Sequence, residues 1–227
     1  MKNPASYRRT AAASGLVLTA VLMVVAMGTD VPFSGEPDVV LAEMDTAGWR
    51  AWLSAVTYTL AQLALIAGLL GVAHLLRGPT PRLSNLGGTL AVVGAFGHTV
   101  HAGGVLLIVS MAQGEADRTA VATVLDEYAS SPAGLFSAMG LLGTVLGLLL
   151  LTIGLWRSGV GPRWVPAALA AFLVVEFLGA AVTPWASTVG GALYLASFTA
   201  LAATVLRSPV SAWQVRTAVA ESEPVFG

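Results

Sequence analysis

Residues 133–156 read AGLFSAMGLLGTVLGLLLLTIGLW, a stretch that contains no charged side chain. An α-helix needs about 20 consecutive apolar residues to cross the hydrocarbon core of a bilayer, and this stretch exceeds that length. Six segments of this character predict membrane-spanning helices: 11–29, 51–76, 86–111, 133–156, 165–183 and 186–206. The sequence therefore predicts an all-α integral membrane protein built as a bundle of six transmembrane helices.

The composition of the whole chain favours the same fold class. Its 227 residues are 56% hydrophobic and 10% charged, and the mean hydropathy is +0.80. A soluble domain carries about 25% charged residues, so most of this surface is expected to face lipid. The length leaves room for a single polytopic domain, 1–227. The chain contains no cysteine, which excludes disulfides, thiolate metal ligands and thiol catalysis.

Basic residues predict the orientation of the bundle, because cytoplasmic loops are enriched in Lys and Arg. With the N-terminus inside, the predicted cytoplasmic basic residues are Lys2, Arg8, Arg9, Arg77, Arg82, Arg157, Arg163, Arg207 and Arg216. Only Arg50 and Arg118 fall outside. Both termini are then cytoplasmic, with a tail over 207–227, and the acid-rich loops 30–50 and 112–132 are external. The abundance of Ala, Gly, Val and Leu is typical of high-GC bacteria, which predicts the bacterial plasma membrane.

The first predicted span resembles a signal peptide, because it is apolar and follows basic residues. Its apolar stretch is longer than a typical signal-peptide core, and Met27-Gly28-Thr29 is a poor small-residue cleavage site. We expect a retained helix, with cleavage as the alternative.

The pattern of turns indicates a duplicated helical hairpin of about 80 residues. Gly35-Glu36-Pro37-Asp38 is echoed by Gly114-Glu115-Ala116-Asp117, and Leu76-Arg77-Gly78 by Trp156-Arg157-Ser158. The alternative is that basic cytoplasmic turns resemble one another without duplication. Within the second loop, apolar residues recur at helical spacing between Asp117 and Tyr128, which predicts a short interfacial helix.

One carboxylate lies inside a predicted span, at Glu176 in the stretch FLVVEFL, 172–178. An ionised acid at the centre of a span costs at least ~2.5 kcal/mol, so such residues face the bundle interior. Desolvation there favours the neutral, proton-donating form. We expect a buried glutamate that acts as a general acid, and the alternative is a hydrogen bond that only packs helices.

Two histidines, His98 and His101, lie on the third predicted span at a spacing that places both on one helical face. His98 and Glu176 lie roughly 20 Å and 16 Å above the cytoplasmic ends of their spans, at 1.5 Å per residue. The predicted catalytic set is therefore Glu176, His98 and His101. Nearby glycines are expected to allow close helix approach: Gly94, Gly97, Gly103 and Gly104.

No cofactor and no metal are expected. His98, His101 and Glu176 could form a two-histidine, one-carboxylate metal site, but nothing in the sequence fixes their mutual geometry. A haem held by two histidines needs ligands from opposite sides, whereas these two share a face. No basic cluster indicates nucleic acid, and the expected partners are the lipid bilayer and a lipophilic small molecule, with oligomerisation left open.

The residues expected to contact that molecule are Tyr58, Gln62, Phe96, Phe172, Phe177 and Tyr194. Tyr58 and Gln62 lie one turn apart on the second predicted span. Tyr194 lies at similar depth on the sixth.

In overall plan the chain resembles the small membrane-bound terpene cyclases, compact helical proteins that use a buried carboxylic acid to protonate an olefin or epoxide among aromatic side chains. Glu176 stands between Phe172 and Phe177, and Tyr58, Phe96 and Tyr194 are available to face a cation. The resemblance implies an intramembrane enzyme that cyclises or isomerises a prenyl or terpenoid substrate. Those enzymes commonly have another helix and a second essential acid, and no second mid-span acid exists here. The alternatives are a small proton-coupled transporter and a non-catalytic membrane subunit that binds a partner.

Overall fold

The computed structural model describes residues 3–31, 35–179, 183 and 185–214, which form helices and no strands. The α-helices are α1 (Pro4–Gly28), α2 (Pro37–Ala47), α3 (Trp49–Leu76), α4 (Pro81–Ala112), α5 (Arg118–Ser130), α6 (Gly134–Ser158), α7 (Trp164–Val174) and α8 (Trp185–Arg207). A π-helical turn, Val175–Gly179, continues α7, and a 3₁₀ turn, Val210–Trp213, follows α8.

Five of these helices, α1, α3, α4, α6 and α8, are long and apolar enough to cross a membrane. The chain is therefore a helical, multi-pass membrane protein. The predicted span 165–183 differs, because α7 has 11 residues and its π-helical turn five more. That length is roughly 24 Å at 1.5 Å per residue, short of the ~30 Å hydrocarbon core. Residues 180–182 lie outside the described part, so the count of six spans stays a prediction.

Residues at the helix ends explain several of these boundaries. Asn3 begins α1, since its Oδ1 accepts hydrogen bonds from the N–H groups of Ala5 and Ser6 at 3.0 and 3.4 Å. Pro4 occupies the first turn, where a missing N–H costs nothing. Gly159 ends α6 with φ of 65°, a left-handed conformation that favours glycine.

The long helices pack as a closed ring in chain order. α1 packs against α3, α3 against α4, α4 against α6, α6 against α7, and α7 with its π-helical turn against α8, which returns to α1. We call the end of the ring that carries α2 and α5 the outer end, and the opposite end the inner end. The inner half is filled by large apolar side chains, including Leu69, Leu76, Leu151, Leu155, Phe198 and Val205.

Glycines allow the closest helix contact in the ring, between α4 and α6. A Cβ on Gly94 would overlap the backbone of Thr144, and one on Gly97 would overlap the backbone of Gly140. Close backbone approach of this kind is a common way to join helices in lipid. The prediction was wrong for Gly103, which has open space beside it, and Gly104 faces only the hydroxyl of Tyr128.

Two short helices cover the outer end, and one of them, α5, is the helix expected between Asp117 and Tyr128. α2 buries Val40, Leu41 and Met44 against the outer ends of α3 and α4. An ion pair between Arg118 and Asp45 joins α5 to α2. The order short helix, long helix, second helix thus occurs twice, over α2–α4 and α5–α7. Duplication of a hairpin stays a prediction.

Residues after α8 fold back across the inner ends of α1 and α3. Trp213 is buried and stacks on His74 with ring centroids 4.6 Å apart, and its Nε1 donates to Ser208 Oγ at 2.8 Å. Arg9 donates to the Ser208 carbonyl at 3.0 Å. The Trp213 ring therefore fills space between helices at the inner end.

Candidate functional site

Two neighbouring cavities lie inside the outer half of the ring. The outer chamber has a volume of about 260 Å³ and the inner chamber about 120 Å³. Four residues line both chambers: Met23, Met27, Tyr58 and Glu176. The remaining inner-chamber residues are Gln62, Leu65, His98, Thr144, Leu148, Phe172, Phe177 and Tyr194. Glu176 therefore stands where the two chambers meet.

Glu176 lies in the π-helical turn, the one break in regular α-helical geometry within the described long helices. Single π-helical turns are frequent at functional sites. The expectation of a fully buried glutamate was wrong: Glu176 is partly buried, and no acidic residue in the described ranges is fully buried. Its Oε2 atom, however, is shielded from solvent and has no hydrogen-bond partner. The carboxyl group is thus open to the chambers on one side and enclosed on the other.

Tyr58 and His98 form a pair beside Glu176. Tyr58 Oη and His98 Nδ1 are joined by a hydrogen bond of 2.7 Å, and the two rings meet edge to face with centroids 5.9 Å apart. Because Tyr58 also lines both chambers, it stands between the imidazole and the outer chamber. This contact joins two residues that the sequence placed in different roles.

His101 lies in the outer chamber, whereas His98 lies in the inner one. A hydrogen bond of 3.1 Å joins His101 Nδ1 to Ser137 Oγ on α6. The two histidines therefore flank the level of Glu176, and Glu176 shares one chamber with each. No group of three or more His, Asp or Glu side chains among the described residues is close enough to hold a metal ion.

Aromatic side chains form the floor of the inner chamber. Tyr194 stacks on Phe198 at 4.0 Å and meets Phe172 edge to face at 5.1 Å, and Phe172 in turn meets Phe177 at 6.5 Å. Tyr194 Oη also bonds with Thr19 Oγ1 at 3.1 Å, which anchors the ring between α1 and α8. The structure thus brings Phe172, Phe177 and Tyr194 together, as expected.

Phe96 does not join that group. Its side chain is 53% exposed on the outside of α4, where it pairs with Phe136 of α6. The physical reason is the crowded glycine interface, which turns Gly94 and Gly97 of α4 toward α6 and leaves Phe96 on the flank. Phe96 is a lipid-facing residue in this ring.

Several buried polar atoms face the inner chamber without partners. Gln62 is 1% exposed and its Oε1 has no hydrogen bond, and the same holds for Thr144 Oγ1 and Glu176 Oε2. Buried polar groups are normally paired, because an unmet hydrogen bond in an apolar setting costs about 1–3 kcal/mol. The polar wall of the inner chamber is therefore suited to a ligand group that donates hydrogen bonds.

The mouth of the outer chamber is acidic. Asp30, just after α1, lines this chamber and also an open vestibule of about 600 Å³ whose other charged residues are Asp38, Glu43 and Arg50. Part of Asp30 is open to solvent, yet desolvation among its neighbours raises the pKa of its carboxyl, against the smaller opposing effect of the Val31 N–H. The sequence analysis assigned Asp30 only to the acid-rich external loop 30–50. Its position directly after the first predicted span is the signal that could have indicated a place at the mouth of the outer chamber.

Comparisons with protein-family models, with curated proteins and with solved structures find no match for this chain. The resemblance to the membrane-bound terpene cyclases stays a prediction, and so do the roles expected of Glu176, His98 and His101. The chambers themselves offer two carboxyl groups, two imidazoles and two phenols, set among apolar and aromatic side chains.

Proposed function

We propose that this protein is a small proton-coupled transporter of the bacterial plasma membrane, in which Glu176 is the proton-binding group. The observation that carries the proposal is a series of neighbouring cavities that share lining residues, from the acidic vestibule, past Asp30, to Glu176 inside the ring. A protonatable carboxyl at the deep end of a water-accessible path is what proton coupling needs.

The closed inner half of the ring supports the same proposal. Below the inner chamber, the ring interior is filled by Leu69, Leu151, Leu155 and Phe198. A carrier that alternates its access exposes its site to one side at a time, and here the outer chamber adjoins the outer vestibule, with which it shares Asp30 and Val31. In the predicted orientation this is an outward-facing state.

The position of Glu176 also suits coupling by competition. Its Oε2 rests against α8 and its carboxyl faces both chambers, so a bound proton and a bound solute would use the same group. Transport of the proton and of the solute is coupled if the conformational change occurs only when the Glu176 carboxyl holds a proton or a solute. The change is then blocked when the carboxyl holds neither.

A second candidate is the intramembrane enzyme, which the aromatic floor of Phe172, Phe177 and Tyr194 favours. In that case Glu176 protonates a lipophilic, prenyl-like substrate, and the Tyr58–His98 pair returns the proton. Carbocation chemistry needs water to be excluded from the site. The acidic, open mouth at Asp30 weighs against it, and for that reason the transporter is preferred.

One experiment separates the two functions. Proteoliposomes containing the purified protein are incubated with a mixture of small apolar amines, alcohols and prenyl alcohols under a pH gradient, and both compartments are analysed by mass spectrometry. We expect a solute to accumulate chemically unchanged, in a manner that needs the gradient. Glu176→Gln, which keeps size but cannot donate a proton of similar acidity, should reduce accumulation to the level of protein-free vesicles.

The control is Glu115→Gln, on the exposed turn between α4 and α5, which should behave as wild type. A new product whose formation falls by about 10²-fold in Glu176→Gln would instead establish the enzyme. Accumulation that is unaffected by Glu176→Gln would show that Glu176 is not the proton site.

A further inference from the structure

The charges around the outer chamber are unbalanced. Asp30 and Glu176 both line it, and no Lys or Arg is among its lining residues in the described part of the chain. Two carboxylates that line one cavity repel one another, and either protons or a positively charged ligand relieve that repulsion. The titratable groups that face Glu176 from neighbouring elements are Asp30, Tyr58, His98, His101 and Tyr194.

The remaining walls of the outer chamber suit an apolar body. Met23, Met27 and Met44 contribute three flexible thioether side chains, which adapt to ligands of different shape. The ring of Tyr58 stands at the junction of the chambers, where an aromatic face can contact a cation. The two chambers have volumes of about 260 and 120 Å³, and together they can hold a small organic molecule.

A separate observation points to a ligand with hydrogen-bond donors. Gln62, which lines the inner chamber, is 1% exposed, and its carbonyl oxygen Oε1 has no hydrogen-bond partner. Glu176 Oε2 is likewise unpartnered. A carbonyl oxygen accepts hydrogen bonds and cannot donate them, and the same is true of an ionised carboxylate. A protonated amine supplies both the missing positive charge and the missing donors.

We propose that the molecule bound in these chambers is a lipophilic amine in its protonated form, with its ammonium group between Asp30 and Glu176 and its apolar part against the methionines and the aromatic floor. This inference rests on the proposed function, because it names the substrate class of the same site. Proton and amine then compete for the two carboxyl groups, so that amine binding releases protons at mildly acidic pH.

The test uses three molecules that share one body and differ in charge: 4-phenylbutylamine, 4-phenylbutan-1-ol and 4-phenylbutyrate. Binding to the detergent-solubilised full chain is measured by calorimetry in two buffers of different ionisation enthalpy, which also reports proton release. We expect the amine to bind at least about tenfold more tightly than the alcohol, and the carboxylate not to bind. Asp30→Asn and Glu176→Gln should each weaken amine binding about tenfold, whereas Glu115→Gln should have no effect.

Equal binding of the amine and the alcohol, or preferred binding of the carboxylate, would overturn the amine proposal. Binding of none of the three would overturn it too. The proposed transport is judged separately, by pH-driven accumulation of any solute in proteoliposomes. Accumulation of the alcohol alone would support the proposed transport and contradict the amine proposal. Amine binding without accumulation of any solute would support the amine proposal and contradict the proposed transport.

Discussion

The carboxyl group of Glu176 rests against the backbone of Gly190, across the contact between the π-helical turn and α8. A Cβ atom on Gly190 would lie 2.6 Å from Glu176 Oε2, closer than any real contact. The other near neighbour of that Cβ would be Met27 Cε at an ordinary 3.7 Å. The absence of a side chain on Gly190 therefore leaves the space that Glu176 Oε2 occupies.

Gly190→Ala should displace the Glu176 carboxyl while leaving the fold intact, because the only atom in the way is the far end of a flexible side chain. We expect a thermal stability close to that of wild type and a loss of proton-coupled accumulation similar in kind to that of Glu176→Gln. Gly191→Ala is the matched control, since its Cβ would meet only Met27 Sδ and Val24 Cγ2 at 3.6 and 3.9 Å. Equal effects of the two alanines would disprove a specific role for Gly190.

Asp30→Asn should raise the thermal stability at neutral pH. Desolvation raises the pKa of Asp30 in the folded protein, so the folded state holds this proton more tightly than the unfolded state does. The stability associated with Asp30 is therefore greatest at low pH and is lost as the pH rises through the raised pKa. A neutral amide avoids that loss.

The measurement for Asp30 is the melting temperature in detergent at pH 7 and near pH 4. The gain from Asp30→Asn should be present at pH 7 and shrink toward pH 4. Asp126→Asn, on the exposed surface of α5, is the control for removing an outer carboxylate. A lower melting temperature for Asp30→Asn at pH 7 would contradict the cause assigned to the shift.

Gln113→Leu should loosen the outer end of the ring. Gln113 Nε2 donates to the carbonyls of Met44 and Gly48, both at 2.9 Å, and its Oε1 accepts from Trp52 Nε1 at 2.9 Å. These bonds join the end of α4 to the turn between α2 and α3. Their loss should reduce the free energy of unfolding by about 1–3 kcal/mol.

A melting temperature measured in detergent, with Glu115→Gln beside it, tests the role of Gln113. An unchanged value for Gln113→Leu would show that water replaces the three bonds at no cost.

Topology can be tested with cysteines, because the chain has none of its own. Glu115→Cys, on the turn between α4 and α5, should react with a membrane-impermeant maleimide in intact cells. Pro79→Cys, on the exposed turn between α3 and α4, should react only after the cells are opened. The reverse pattern would invert the orientation that the basic residues predict.

Sequence reasoning succeeded where the bilayer imposes a large and local cost. The long apolar helices follow from backbone hydrogen bonding in lipid. The place of Glu176 in an apolar stretch, and the distances of Glu176 and His98 from the ends of their predicted spans, could also be counted from the sequence. Each of these inferences needs only one helix at a time.

Sequence reasoning failed where two helices decide the outcome. The sequence predicted that Phe96 contacts the bound molecule. Because lipid is as apolar as a bundle interior, an apolar helix has no hydrophobic stripe that marks its inner face, and the inner position of Phe96 could not be checked from the sequence. No sequence pattern marked the burial of Trp213 against His74, because that contact joins segments far apart in the chain. The role of Gln113 was not predicted for the same reason, because its three hydrogen-bond partners lie on other segments of the chain.

The sequence by itself determined that this chain contains apolar helices long enough to span a membrane, and that Glu176 lies within an apolar stretch, because composition acts residue by residue. Only the tertiary structure decided which side chains Glu176 meets. The closed ring brings Asp30, just after α1, Tyr58 of α3 and Gly190 of α8 around the Glu176 side chain in the π-helical turn. Contacts among distant segments depend on the angle and rotation of each helix, which in an apolar solvent are set by packing rather than by a hydrophobic pattern.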